Sequence, residues 1–500
     1  MTERPARRGR LAIASLLALT PAAATAEPPA SISLSQAIVL AVQNNPELAV
    51  ERLAPELTQA DVLEQQASFD PTLGFVLGKE RQRRRDLSAG GTLFDSLRES
   101  VVGEASWLQR FPTGTQLELN ASTDLVDSSS DGQQLVRSRL GFTLTQPLLR
   151  ETGTGANLAR VRQARLDLLV SGYEVRGFTE QLVAQVERAY WEHARAQKVI
   201  DIYDASIALA ERSLASIKTG VDQGALPESS RVAAESEVAL RRQERVDAIA
   251  DHDKARIRLL GYLGLYAPGK NPQDARFADE LQLPDAPLED VEAHVARGLR
   301  ARADLNQARL QARRGDLELV RTRNGLLPRL DLFVTFGKTG YADSIGGAWE
   351  DLDRGHYGVL AGISFQRALG NHAARAEQVR ADAGRRQAGE AVQNFEQLVQ
   401  VDVRSAYVEV VRARDKAAAV AATRALDETK LEVETQRFGF GQASSFQLAR
   451  AQRDLVRRQV QEAEAIAEYG QALVELYRLD GSLLERRGID APGAEPVAEP

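Results

Sequence analysis

Five histidines, His193, His252, His294, His356 and His372, are the side chains best suited to hold a metal or move a proton. None stands at metal-ligand spacing from another histidine or from a carboxylate pair. The "GTG" of Gly153–Gly155 lacks both the pattern and the Lys-Ser/Thr of a phosphate-cradling loop, and no nucleophile motif is evident. The many Asp and Glu residues read as solvated helix faces. These types and spacings point to no catalytic residue, no metal and no cofactor, so an enzyme is not expected. A different pattern stands out. "GVDQGALPESS" from Gly220 and "FGFGQASSFQLAR" from Phe438 interrupt helical surroundings, and Gly224 and Gly441 lie 217 residues apart. Glycine supplies the positive φ or tight backbone that reverses a helix. Ser229 or Ser230, and Ser444 or Ser445, can cap the helix that returns, with Pro227 near its start.

Very long helices must carry these turns. The first is predicted over about 156–219, on the order of 100 Å at 1.5 Å per residue, and the second over about 372–437. Val161, Leu168, Val175, Leu182, Ala189, Ala196, Tyr203, Ala210 and Ile217 stand seven apart and are all apolar. Such a stripe predicts a supercoiled helix packed on neighbours along its length. Between the helices the period changes to two. Leu117 and Leu119 alternate with polar residues, as do Leu140, Phe142 and Leu144, then Leu330, Leu332, Val334 and Phe336, and finally Tyr357, Val359, Ala361, Ile363 and Phe365. These are strands with one apolar face.

The chain repeats one plan. Leu48 and Leu305, and Pro71 and Pro328, are 257 apart; Tyr190 and Tyr407, and Gly264 and Gly481, are 217 apart. The first half therefore carries about 40 extra residues between the matched prolines and tyrosines. The expected organisation is a signal peptide at 1–26, a first repeat at 27–265, a proline-rich polar linker at 266–288, a second repeat at 289–484 and a disordered tail at 485–500. Within the first repeat, strands are expected over about 72–146 and a return helix over about 228–262. Within the second, strands are expected over about 329–367 and a return helix over about 444–480.

Arg4, Arg7, Arg8 and Arg10 precede an apolar run and an A-x-A cleavage site at Ala24–Ala26, the pattern of a secretory signal. Its removal takes away four arginines and one glutamate, moving the formal charge from −7 to −10, and nothing suggests a nucleic-acid partner. The chain has no cysteine, so an exported protein must be held by packing alone. After the signal no apolar run is long enough to cross a membrane as a helix, which leaves a closed β-barrel as the only way in. For any one strand an ordinary half-buried sheet suffices; export and the strand lengths together favour the barrel.

The ordered set of "SLSQAIVLAVQNNPEL" (Ser33–Leu48), the duplicated architecture, "QPLLRETGTGANLARVRQA" (Gln146–Ala164) and the glycine turns resembles the TolC-like outer-membrane efflux proteins, over nearly everything from Leu34 to Leu484. The resemblance implies a mainly α fold with a β-barrel part: a homotrimer whose strands close one barrel in the outer membrane of a Gram-negative bacterium, continued by a helical barrel through the periplasm. It implies an outer-membrane channel of a tripartite system, giving a passive exit duct from an inner-membrane pump through a periplasmic adaptor protein. The same fold serving one-step (type I) protein secretion is a close alternative, and a soluble periplasmic coiled-coil scaffold a second. The family plan has four strands per protomer, whereas the first half here alone has four candidates, about 72–79, 101–110, 115–123 and 137–146, with "FPTG" (Phe111–Gly114) turning between the middle two. The extra hairpin either widens the barrel, folds against it or is a surface excursion. The basic run "KERQRRRD" (Lys79–Asp86) is expected as a solvated external loop, contact with lipopolysaccharide phosphates being the alternative.

By the same resemblance, Gly220, Val221, Gly224, Ala225, Leu226, Gly439, Phe440, Gly441, Ser444 and Ser445 form tips that close the pore and dock on the adaptor. The family's acidic pore pair falls on Gln447 and Arg450, its gate tyrosine on Phe438, and the corresponding polar pair of the first half on Ser229 and Ser230. An acidic cation-binding ring is therefore not expected; a ring of Arg450 side chains would repel cations instead.

Overall fold

The computed structural model describes residues 31–87, 90–128, 133–266, 272, 275–278, 281–285 and 287–497. The expected signal peptide lies outside them. The chain opens with α1 (Leu34–Asn44), α2 (Pro46–Glu51) and α3 (Ala54–Ala67), followed by β1 (Thr72–Leu87), β2 (Leu93–Arg110), β3 (Gln116–Ser128) and β4 (Gln133–Pro147). A short α4 (Thr154–Asn157) leads into α5 (Ala159–Asp222), which folds back as α6 (Glu228–Tyr262). The second half runs α7 (Val291–Ala301), α8 (Ala303–Gly325), β5 (Arg329–Ala342), α9 (Ile345–Glu350), a 3-10 turn (Asp351–Arg354), β6 (Tyr357–Gln366), α10 (His372–Gly439), α11 (Ser445–Leu479) and α12 (Leu483–Arg486).

The bounds of α7 are those of α1 shifted by 257 residues. Ser33 starts α1 with a capping box to Gln36, and Asn45 Oδ1 accepts the N–H groups of Glu47 and Leu48 to start α2. Pro55 then separates α2 from α3, because proline can occupy only the first turn of a helix. The second half lacks that proline, and α8 runs unbroken for 23 residues.

Of the nine stripe positions on α5, seven are buried and Leu168 and Tyr203 are half-buried. With 64 residues in α5 and 68 in α10, these helices reach roughly 100 Å. Helix α5 packs on α6, α8 and α11, and α10 on α8 and α11. The main core gathers where both repeats meet, around Leu48, Leu182, Leu259, Leu305, Val403 and Leu476. Two acids are fully buried there, each held by a base: Asp480 accepts from Arg297 at 3.1 Å and lies 2.6 Å from His294 Nδ1, and Glu187 pairs bidentately with Arg487 at 2.6 Å.

Residues beyond Leu484 are not a disordered tail as far as they are described. Ile489 and Ala491 pack on the core, Tyr173 donates its hydroxyl hydrogen to the Glu495 carbonyl, and the Val497 N–H donates to Asn306 Oδ1 at 3.1 Å. These polar ends give an otherwise polar segment a fixed path. The linker is likewise docked where it is described, Phe277 pairing with Ile32 and lying edge-on to Tyr190.

All six strands form one antiparallel sheet in chain order, β1 to β6. The extra hairpin of the first half is thus part of the same sheet. The strands are also longer than expected: β1 continues to Leu87, so the run from Lys79 to Asp86 is strand and not loop. Its register with β2 is unbroken over the whole length, which gives this charged segment the backbone bonds that composition alone does not reveal.

Each long hairpin and each repeat ends the same way. After α5 the Gly224 N–H donates to Val221 and the Ala225 N–H to Gly220; after α10 Gly441 donates to Phe438 and Gln442 to Arg437. Gly264 and Gly481 close α6 and α11 in the same pattern, and all four glycines have φ between 64° and 75°. This is the Schellman arrangement, which satisfies the last carbonyls of a helix through one left-handed residue. Gly220 and Gly439, expected to share that task, are helical instead. At the repeat ends the fit is tight: a Cβ on Gly264 would lie 2.4 Å from the Asn44 carbonyl oxygen, and one on Gly481 3.1 Å from Ala301, the residue equivalent to Asn44.

Two outcomes follow from these contacts. Gly264→Ala lowers unfolding stability by about 1–3 kcal/mol through strain and collision, whereas Gly439→Ala, helical and with open space around its Cα, raises it by roughly 0.5–1 kcal/mol; chemical denaturation of the two variants separates them. The second outcome concerns His193, whose ring lies 4.7 Å from those of His252 and Phe277. Burial first, then the charges of His252 and Arg256, hold its pKa down from 6.5 to about 4. Its contribution is fully present above pH 6.5 and is lost as pH falls toward 4, to a limit of about 3 kcal/mol. Melting curves at pH 7 and pH 4.5 are expected to show a smaller acid loss in His193→Gln than in the parent chain; parallel losses would mean that His193 titrates normally.

Candidate functional site

The sheet has two unlike faces. In register, one face carries Leu73, Phe75 and Leu77 of β1 beside Trp107, Ala105 and Gly103 of β2. It continues through Leu119 and Ala121, Phe142 and Leu140, Val334 and Phe336, and Val359, Ala361 and Ile363. Phe75 is 80% exposed and Ile363 67%, so among the described residues nothing covers the two margins of this apolar face. The opposite face carries Glu104, Ser106, Glu118, Asn120, Asp124, Arg137, Arg139, Thr143 and Thr335, with Arg137 donating to Asp124 and the Thr143 and Thr335 hydroxyls 3.1 Å apart. Strand alternation with an unbroken register keeps the two sets apart.

The topology fixes a direction. Helices α3, α4, α8 and α10 all join the sheet at one end, and the tight turn between β2 and β3 is there too, with the Phe111 N–H bonded to the Thr115 carbonyl at 2.8 Å. The β1–β2, β3–β4 and β5–β6 connections lie at the other end. In the last of these, α9 folds onto the apolar face: the Tyr341 N–H donates to Asp351 at 2.9 Å, and a Cβ on Gly340 would collide with the Ala348 carbonyl. Ile345 and Trp349 of α9 stay exposed. Sequence reading passed over this helix; an aromatic beside two glycines in a six-residue segment gives no periodic signal.

At the far end of the long helices the two tips lie side by side. Ser445 Oγ donates to Ser230 Oγ at 3.4 Å, and Gln452 Nε2 to Ser213 Oγ at 2.9 Å, tying the first hairpin to the second. Val221 and Leu226 are half-buried, Leu226 lying over Gly220, while Gly224, Ala225, Gly439, Phe440, Gly441 and Ser444 are exposed. Of the four serines considered as caps, only Ser444 caps: its hydroxyl accepts the Gln447 N–H, and Gln447 Oε1 accepts the Ser444 N–H at 2.8 Å. Ser229 and Ser230 do not, because Pro227 occupies the cap position and sets them inside the first turn. Ser229 is exposed and Ser230 buried. Gln447 is thus committed to the capping box, Phe438 is half-buried, and Arg450 is exposed with no ion pair among the described residues. The described residues contain no cluster of three or more potential metal ligands, and no helix long and apolar enough to cross a membrane.

Residues 37–265 match the family model of the outer membrane efflux proteins. No curated protein matches the sequence significantly. Among solved structures, a membrane protein from Pseudomonas aeruginosa is similar at 20% identity and a TM-score of 0.65, over 90% of each chain. The outer membrane protein VceC from Vibrio cholerae is similar at 16% identity and a TM-score of 0.65, over 90% of this chain and 96% of its own. The Neisseria gonorrhoeae MtrE outer membrane channel in its open state is similar at 15% identity and a TM-score of 0.65, over 90% and 89%. Somewhat less than half of the chain thus matches the outer membrane efflux proteins, and the chain as a whole shares the fold of these outer-membrane channels.

Proposed function

We propose that the protein is the outer-membrane channel of a tripartite efflux or secretion system, a passive duct fed by an inner-membrane pump through a periplasmic adaptor. The observation that carries this reading is the open six-stranded sheet, apolar on one face and polar on the other, whose helices all leave from one end. Its margins, β1 and β6, each have a row of backbone groups that pair with no other described strand. Edges of this kind are stable in a membrane only if they are closed. An even number of strands makes each β1 antiparallel to the β6 of a neighbouring copy, so a symmetric ring closes without a mismatched pair. Three copies give 18 strands, within the range whose barrels enclose water. The apolar face then meets lipid, and Glu104, Glu118, Asn120 and Arg139 line the lumen. Arrival at this membrane requires export, in keeping with the signal sequence of residues 1–26.

The helices carry the duct across the periplasm and set the tips at its inner mouth. Gly224, Ala225, Phe440, Gly441 and Ser444 are the exposed surface for the adaptor there. Arg450, one turn inside α11, supplies one positive charge per chain to the mouth, where the family's acidic pair is replaced by Gln447 and Arg450.

Cell fractionation tests the barrel: a detergent-extracted outer membrane should yield the protein as a trimer, whereas recovery from the soluble periplasm would leave only a coiled-coil scaffold. Photo-cross-linkers at Ala225 and Ser444 should capture the adaptor, whose pump then separates small-molecule efflux from protein secretion. For the mouth, Arg450→Ala channels in planar bilayers are expected to shift reversal potential toward cations by a measurable few-fold in permeability ratio; unchanged selectivity would remove Arg450 from the gate.

A further inference from the structure

Four basic residues of β1 fall on the same face as its apolar residues. Lys79, Arg81, Arg83 and Arg85 continue the alternation of Leu73, Phe75 and Leu77 without a break in register against β2. They therefore stand directly beyond the apolar band, toward the end of the sheet remote from the helices. Their exposure is high, 64–75% of each side chain. Facing them on β2 are only two described carboxylates. Glu99 takes Lys79 and Arg81, each at 3.1 Å, and Asp95 takes Arg83 at 3.0 Å and Arg85 at 3.1 Å. Each carboxylate is shared by two cations, so among the described side chains of β1 and β2 the ladder keeps a surplus of two positive charges. Its cations are spaced by two residues, about 7 Å along the strand.

We infer that this ladder binds the phosphates of a phosphorylated glycolipid, the lipopolysaccharide headgroup of the outer leaflet. The inference rests on the reading of the sheet as an outer-membrane barrel wall. A solvated loop would place these charges in bulk water, where a shared ion pair does little. A strand that rises straight out of the apolar band instead holds them beside the lipid wall, at the depth where headgroup phosphates begin. Arg side chains offer paired donors that fit phosphate oxygens while one edge still holds a carboxylate. Exposed Ile345 and Trp349 belong to α9, which lies over Gly340 and Ala342, level in the sheet register with Leu77 and Lys79 at the foot of the ladder, and indole rings favour the water–membrane interface. Edge strand β1 would bring its ladder beside the β6 of the next copy, giving three equivalent sites at the seams of the trimer.

Lipid retention by the purified full-length protein in detergent tests this. Bis-phosphorylated lipid A, its dephosphorylated form and phosphatidylglycerol are offered separately, and bound lipid is read by native mass spectrometry. The parent protein should retain the bis-phosphorylated glycolipid over the other two. The triple variant Arg81→Gln, Arg83→Gln, Arg85→Gln should retain at least about tenfold less, and Lys at the same positions should restore most of it. Equal retention of the phosphorylated and dephosphorylated forms, equal retention by the triple variant, or a preference for phosphatidylglycerol would each overturn the assignment. Fractionation of the same variant keeps the two readings apart: it should still reach the outer membrane as a trimer, because the apolar band is untouched. A parent protein absent from that membrane would refute the barrel itself.

Discussion

A narrow apolar stripe, one residue in seven along α5 and with alanine or valine at five of its nine positions, is the constraint on which the rest of the molecule depends. Alanine and valine at those positions bury little area each, so a helix of this length is held only by neighbours that accompany it throughout. Helices α6, α8 and α11 supply those neighbours within the chain. The need for company explains why the chain must double back, and why the reversals are built from left-handed glycines that satisfy carbonyls of the last helical turn. It also explains the duplication: a second long hairpin covers what the first leaves open.

Where the two repeats meet, the structure trades small residues for large ones and for buried charge. Leu259, Leu263, Leu305 and Leu476 are fully enclosed, and Asp480 and Glu187 sit among them with arginine partners from other elements. Breaking one member of such a pair costs far more than the pair contributes, so this region fixes the relative setting of the helices while the hairpins away from it remain thinly packed. The C-terminal segment adds a strap across α5 and α8.

Much of this was legible in the residues. The seven-residue stripe, the two-residue strand pattern, the paired glycines and the shared offsets are local periodicities, and period is what sequence records best. Three features were hidden for stated reasons. The charged half of β1 reads as loop because its stabilisation lies in cross-strand partners, Glu99 and Asp95, and not in its own composition. The segment beyond Leu484 reads as disordered because what anchors it is distant in the chain: Glu187 for Arg487, the core for Ile489 and Ala491, and Tyr173 and Asn306 for Glu495 and Val497. Ser229 and Ser444 look alike in sequence, yet only the latter caps; the difference is one residue, Pro227, which takes the cap position itself. At the tips, the sequence does not reveal the different settings of Gln447, which is bound to the backbone, and Arg450, which makes no ion pair among the described residues.

The additional hairpin has a geometric consequence at the join between sheet and helices. At that level each chain presents four helices, α3, α5, α8 and α10. In a ring of three chains, twelve helices about 9 Å apart trace a circumference of roughly 110 Å. Eighteen strands about 4.8 Å apart and tilted by about 40° trace almost the same, whereas twelve strands would trace roughly 75 Å. Two extra strands per chain would therefore match the bore of one section of such a ring to that of the other. In the proposed trimer the join would then be a plain cylinder with no funnel, and any narrowing of the conduit would be left to the far ends of the helices.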